Sequence, residues 1–256
     1  MKRSRSGGLA SRPTTTRGTG VTETIARSVV DRADADQWPP HLTHEQLVIA
    51  QQETMATPRR TYGVLAKILF KTFDVLYGKK RYLSKFKVLE LVARVPYQSW
   101  EQVGYIAITH VHDHSGLARR MFDRVREARD QQDNEQWHLL ILEELIMRSG
   151  KNESKIYYFW IPQAIALVYY QVSWLLYVLK PEASYRLNAD FEDHAEHEYM
   201  ALVAENPDWE NEPWDSPLTK EYGSFQSIAD LFRQIGHDER VHKIDSVERM
   251  QAARFR

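Results

Sequence analysis

Two Glu-x-x-His steps, Glu135-Gln136-Trp137-His138 and Glu239-Arg240-Val241-His242, lie about a hundred residues apart in stretches of helical patterning. Residues three apart share one face of an α-helix, so each step offers a carboxylate and an imidazole one turn apart. Glu90 and Glu192 stand in two further helical stretches, Glu90 inside Lys87-Val88-Leu89-Glu90-Leu91-Val92. Turned inward together, the six side chains make a four-carboxylate, two-histidine cage for two iron or manganese ions. Carboxylates can bridge two metals and change binding mode with oxidation state, whereas imidazoles supply fixed neutral ligands. Four buried carboxylates without cations would be strongly destabilising, so their convergence makes sense only around metal. Surface salt bridges at one-turn spacing would also explain either step, and Glu143, Glu144, Glu196 and Glu198 are rival carboxylates.

The cage needs four helices. The first is expected from about Leu83 to His110 carrying Glu90, kinked or interrupted by Pro96, which removes an amide donor. Past the polar corner His112 to Gly116, a second should run from Leu117 to about Met147 and stop near Gly150. Ala183 to Ala204 is the third, around Glu192, and Phe225 to the C-terminus the fourth, joined by a Pro/Trp-rich connection. Residues 24 to 59 read as an irregular arm with one helical turn at most. Tyr62 to Tyr77 has apolar residues at helical spacing beside Lys67 and Lys71, with Lys79, Lys80 and Arg81 after it. Such a helix suits either a membrane surface or packing on the bundle. Ile156 to Leu179 holds 24 residues without a formal charge, long enough for a bilayer. Pro162, Gln163, Gln171 and Ser173 interrupt it, and a single span would part the two Glu-x-x-His helices. A half-buried helix touching lipid or a partner chain fits better.

Composition narrows the rest. The 256 residues carry 34 basic and 35 acidic side chains, so no global field recruits nucleic acid. Without cysteine, disulfides, thiolate ligands and thiol redox control are excluded. Residues 1–40 read as a flexible basic tail, rich in Ser, Thr, Gly and Arg, either plain or a targeting remnant. Residues 41–256 read as one helical domain. His110, His112 and His114 flank a corner and read as surface or interface residues; His194, His197 and His237 read as outer-layer or surface residues.

Four ordered segments resemble the alternative oxidase family, in particular its plastid terminal oxidase branch as found in photosynthetic microbes. They are Leu89-Glu90 with Ala93-Arg94-Val95-Pro96-Tyr97; Asn134 to Leu140 continuing to Leu142-Glu143-Glu144-Leu145; Glu192-Asp193-His194-Ala195 with Tyr199; and Asp238 to His242. The resemblance implies an all-α, ferritin-like four-helix diiron bundle with additional membrane-interfacial helices. It implies a monotopic, usually homodimeric quinol oxidase, two quinols reducing dioxygen to two waters. On it, Glu90, Glu135, His138, Glu192, Glu239 and His242 hold two Fe ions. Tyr199 then donates an electron or hydrogen atom during O–O cleavage, while Asn134 and Asp238 fix the ligands. Leu89, Arg94, Ala195 and Glu198 are the expected quinone-site residues, Arg94 binding either a quinone oxygen or a surface carboxylate. Glu198 and His194 are both candidates for taking the quinol's proton. The 44 residues between Glu90 and Glu135 suggest a corner longer than in the plant plastid form. Plastoquinol is favoured over ubiquinol, at a thylakoid or plasma membrane of a photosynthetic cell. Another diiron oxygenase or desaturase, a manganese catalase, or a non-enzymatic membrane-surface scaffold are the alternatives.

Overall fold

The computed structural model describes residues 39–253, which are helical apart from their connections. The first helix, α1, runs His44–Ala56, where the sequence suggested no more than a turn. It forms because Thr43 and Gln46 close a reciprocal capping box at its start. Leu47 and Ala50 then pack against Met200 and Val241 of the bundle. Local amphipathicity is slight, so its stability comes from the cap and from tertiary contact. Thr43→Ala is therefore expected to cost about 1 kcal/mol, seen as a lower urea midpoint with unchanged metal content.

Helix α2, Val64–Tyr77, buries Ala66, Phe73 and Tyr77 and leaves Val64, Leu65, Ile68 and Val75 exposed. Helices α3, Leu83–Ala93, and α4, Val95–Val111, form one line broken at Arg94. Pro96, at the start of α4, cannot donate an amide hydrogen, and the predicted interruption falls there. After a short corner, α5 runs Ser115–Arg148. A single π turn, Ile156–Trp160, then leads into α6, Ile161–Leu179. The Ile161 amide bonds back to the Ile156 carbonyl, one residue farther than in an α-helix, just before the donorless Pro162. Helix α7 is Pro181–Glu205; two 3₁₀ turns, Pro207–Asn211 and Pro217–Lys220, precede α8, Ile228–Gln251.

Helices α3, α5, α7 and α8 form a ferritin-like four-helix bundle, with α7 and α8 packed along most of their lengths. Its core includes Phe86, Leu89, Ile141, Leu142, Phe191, Leu202 and Phe232. Helices α2 and α6 lie outside it. The stretch Ile156–Leu179 is long and apolar enough to cross a bilayer, yet only 22% of its most apolar window is buried. Val168, Val172, Leu175 and Leu179 all face outward. Residues 1–38 of the expected N-terminal tail lie outside the described residues; at its end Pro39 is buried and the Pro40 carbonyl accepts from Gln234 at 3.3 Å, so these two belong to the packed domain.

Candidate metal centre

Each bundle helix turns one predicted side chain or pair into the same buried space. Glu90 comes from α3, Glu135 and His138 from α5, Glu192 from α7, and Glu239 and His242 from α8. All six are at most 1% exposed. Two groups result, Glu90, Glu135, His138 and Glu239, and Glu135, Glu192, Glu239 and His242. Within each group the candidate ligand atoms lie within 4.8 Å of one another. Glu135 and Glu239 belong to both, as bridging carboxylates would. His138 Nδ1 faces Glu239 at 3.2 Å and Glu90 at 3.5 Å, and His242 Nδ1 faces Glu135 at 2.9 Å.

The unsatisfied atoms point to cations. Oxygens of Glu90, Glu135, Glu192 and Glu239, with His138 Nδ1, are buried and accept or donate no hydrogen bond among the described residues. A buried carboxylate oxygen left so is costly unless a cation meets it. The oxygen and nitrogen donors suit iron, and no thiolate is present. The four acids cannot all ionise on their own charge. Burial and the Glu135 charge push Glu90 up to about 8, and the same causes raise Glu192 and Glu239. Burial would raise Glu135 too, but hydrogen bonding to His138 and His242 outweighs it and lowers this acid.

An outer layer fixes the donors. His138 Nε2 lies 3.2 Å from Asp238 Oδ2, so donating there leaves Nδ1 as the metal-facing lone pair. Asp238 also accepts from Asn134 at 3.1 Å, Tyr222 at 2.8 Å and Gln234 at 2.7 Å. The Tyr199 hydroxyl donates to Glu90. Tyr97 donates to Glu192 at 2.7 Å and itself accepts from Asn188. Tyr97, Asn188, Tyr222 and Gln234 had no sequence-assigned role. Asn188 sits one turn before Glu192, and that spacing is the signal available for it; Tyr222 comes from a connection with no periodicity to read.

The rival carboxylates turn elsewhere. Glu143 pairs with Lys87, Glu144 with Arg148, and Glu196 with Arg240 and Lys243. Asp193, Glu196 and His197 also converge, but Lys243 supplies that group's cation. The corner residues His110, His112 and His114 are exposed. His237, on α8, is fully buried and not at a surface, and burial lowers it to about 4.

The expected quinone-site residues are more dispersed. Leu89 and Ala195 are buried in the bundle. Arg94 bonds the Gln136 amide oxygen, a third partner beside the two expected. Glu198 is held by Arg59 at 2.6 Å and Arg81 at 3.0 Å. Burial opposes its charge, but His194 and the two arginines lower it, so it stays ionised. His194 stacks on Phe70 at 4.1 Å and faces Arg59 at 2.9 Å. Burial lowers His194 to about 4, leaving it neutral near pH 7. Both proton-acceptor candidates are thus already engaged. Sequence spacing did not reveal an apolar groove of about 440 Å³ between α2 and α6, lined by Leu65, Ile68, Ile165, Tyr169 and Leu187. Its wall residue Leu187 precedes Glu192 on the same helix.

Comparison with known proteins agrees with this geometry. The alternative oxidase family matches residues 42–248. A protein of Arabidopsis thaliana named ubiquinol oxidase 4, chloroplastic/chromoplastic, is 33% identical over 159 residues, covering 62% of this chain and 42% of its own length. Ubiquinol oxidase 2, mitochondrial, of Glycine max is 24% identical over 190 residues, 70% of this chain and 53% of its own. Ubiquinol oxidase, mitochondrial, of Mangifera indica is 24% identical over 188 residues, 70% of this chain and 55% of its own. The chain thus spans about half the length of these relatives.

Proposed function

The chain belongs to the alternative oxidase family, and we propose that it is a diiron quinol oxidase using plastoquinol in preference to ubiquinol. In the proposed reaction two quinols are oxidised to quinones and dioxygen takes their four electrons and four protons to become two waters. The observation that carries the reading is the six-residue cage, in which one oxygen each of Glu90, Glu135 and Glu192 and both oxygens of Glu239 accept no hydrogen bond among the described residues. Glu90, Glu135, His138, Glu192, Glu239 and His242 would hold two iron ions, which supply the redox centre where oxygen is reduced. Asp238, with Asn134 and Tyr222, keeps His138 in the ligating tautomer.

The groove between α2 and α6 suits an isoprenoid quinol arriving from lipid, being apolar and opening where both helices expose apolar side chains. Leu89, Ala195 and Arg94 then bound the ring's approach from the bundle side. Glu198, pinned by Arg59 and Arg81, would orient a charged wall instead of taking the quinol proton. The protein is read as monotopic, with α2 and α6 in one leaflet, and as a homodimer at a thylakoid or plasma membrane of a photosynthetic cell. The preference for plastoquinol rests on the segment resemblance and on the chloroplastic/chromoplastic designation of the relative at 33% identity, a protein whose name itself gives ubiquinol.

Oxygen uptake by the iron-loaded protein in detergent, with plastoquinol and ubiquinol compared, tests this. About two quinols consumed per oxygen without peroxide is the expected result. Two irons bound with no uptake on either quinol would leave the cage standing and remove the substrate.

A further inference from the structure

A second cavity, remote from the cage, is lined mostly by polar and charged side chains. It measures about 890 Å³ and lies between α5, the α6–α7 junction and the end of α8. Arg120, Arg124, Lys180 and Arg249 line it, against Asp123 and Glu182. Arg249 is bound by Glu127 at 2.5 Å. Arg124 donates to the Ala252 carbonyl at 2.9 Å and lies within hydrogen-bond reach of the Tyr185 hydroxyl, so its guanidinium is fixed in the wall. Lys180 is exposed and makes no ion pair among the described residues. The amino-terminal turn of α7 meets the same space, bringing the positive end of a 25-residue helix.

Position gives this charge its meaning. Val168, Val172, Leu175 and Leu179 recur at helical spacing and are 64%, 40%, 52% and 63% exposed. They form one outward row about 16 Å long by helical rise, which starts at Val168 and Val172 on the rim of the α2–α6 groove and ends beside Lys180. An apolar row running into a cationic cavity matches a lipid, its acyl chain along α6 and its headgroup in the cavity. We infer that this cavity, outside the metal centre, binds the phosphate of an anionic phospholipid. Arginines bind phosphate by paired hydrogen bonds, and a lysine at the end of an apolar helix sits naturally at headgroup depth. The inference rests on the reading of α6 as lipid-facing.

The test is flotation of the full-length, iron-loaded protein with phosphatidylcholine vesicles, with and without phosphatidylglycerol. Arg120→Gln with Lys180→Gln is the first variant, because both side chains are exposed and outside the metal and quinol machinery. Lys67→Gln with Lys71→Gln on α2 is the charge-matched control. Wild type should prefer phosphatidylglycerol vesicles, and the cavity variant should lose about fivefold of that preference per charge removed. The control should retain more of the preference, and binding to plain phosphatidylcholine should be unchanged in both. Equal losses in cavity variant and control, or no loss in the cavity variant, would overturn the inference. Stabilisation by inorganic phosphate alone, without any vesicle preference, would also overturn it in favour of a free-oxyanion site. Failure of wild type to bind phosphatidylcholine at all would instead sink the lipid-facing reading of α6, and this inference with it. Arg124→Gln, chosen last because Arg124 also touches Tyr185, should reproduce the loss if it folds.

Discussion

Removing the metal ions is expected to lower the protein's stability sharply and to give it a pH dependence that the loaded protein lacks. Without cations the cage must keep protons on several acids. Burial and neighbouring charge raise Glu90 from 4.5 to about 8, and Glu192 and Glu239 rise as well. A folded-state acid with a raised pKa destabilises the fold once the unfolded chain can lose that proton and the folded one cannot. The loss therefore begins as pH passes 4.5 and is complete above the folded value. For Glu90 alone the shift corresponds to about 5 kcal/mol by pH 8. His138 acts in the same direction: burial opposes its charge, but Tyr222 and the surrounding acids raise it well above 6.5. Its stabilisation is present below 6.5 and is lost as pH rises through the folded value. Glu135 is the counterweight, its lowered pKa giving stability that disappears only as pH falls below 4.5.

The apo protein should accordingly lose stability steadily between pH 5 and pH 8, and reloading with iron should flatten the profile. Bound cations keep the acids ionised and ligation requires the deprotonated form, so metal and protons compete for the same atoms. Urea unfolding of chelated and reloaded protein across that range measures both effects. An apo protein as stable as the loaded one at pH 8 would mean that the acids are neutralised some other way.

The ligand set was legible because its parts obey helical spacing: Glu135 with His138 and Glu239 with His242 are each one turn apart. Sequence could not separate Glu90 and Glu192 from rivals such as Glu143 and Glu196. That choice is made by cross-chain partners, Lys87 for Glu143 and Arg240 with Lys243 for Glu196, which only packing brings together. Helix α1 escaped for a related reason. Its apolar face is short, and its stability depends on Met200 and Val241, some 150 to 190 residues away in sequence. Its Thr43 to Gln46 capping box was nevertheless readable. Tyr97 and Tyr222 illustrate the remaining limit. One stands just past a helix break and the other in an irregular connection, so no period marks the face they present.

Tyr199→Phe is expected to cut quinol-driven oxygen uptake by about 100-fold or more while leaving the iron bound. The residue is fully buried, its ring 4.6 Å from Phe86 and stacked at 6.0 Å on Phe232. Phenylalanine keeps that packing and removes only the hydroxyl that donates to Glu90. Burial and the charges of Glu90 and Glu239 raise its pKa well above 10, so the group stays a protonated phenol and can give an electron together with its proton. A quinol carries two electrons and oxygen needs four. Between two quinols Tyr199 would therefore supply one of the two missing electrons with its proton, the irons would supply the other, and the second quinol would restore both. Loss of that store should therefore release partly reduced oxygen as well as slow turnover. Tyr97→Phe is the decisive control, since Tyr97 donates to Glu192 at 2.7 Å in a matching position. If the hydroxyls only orient ligand carboxylates, both variants should lose activity alike, at a stability cost of about 1–3 kcal/mol each. A redox role for Tyr199 requires that its variant alone loses turnover and leaks peroxide; near-wild-type turnover with full iron would end that role.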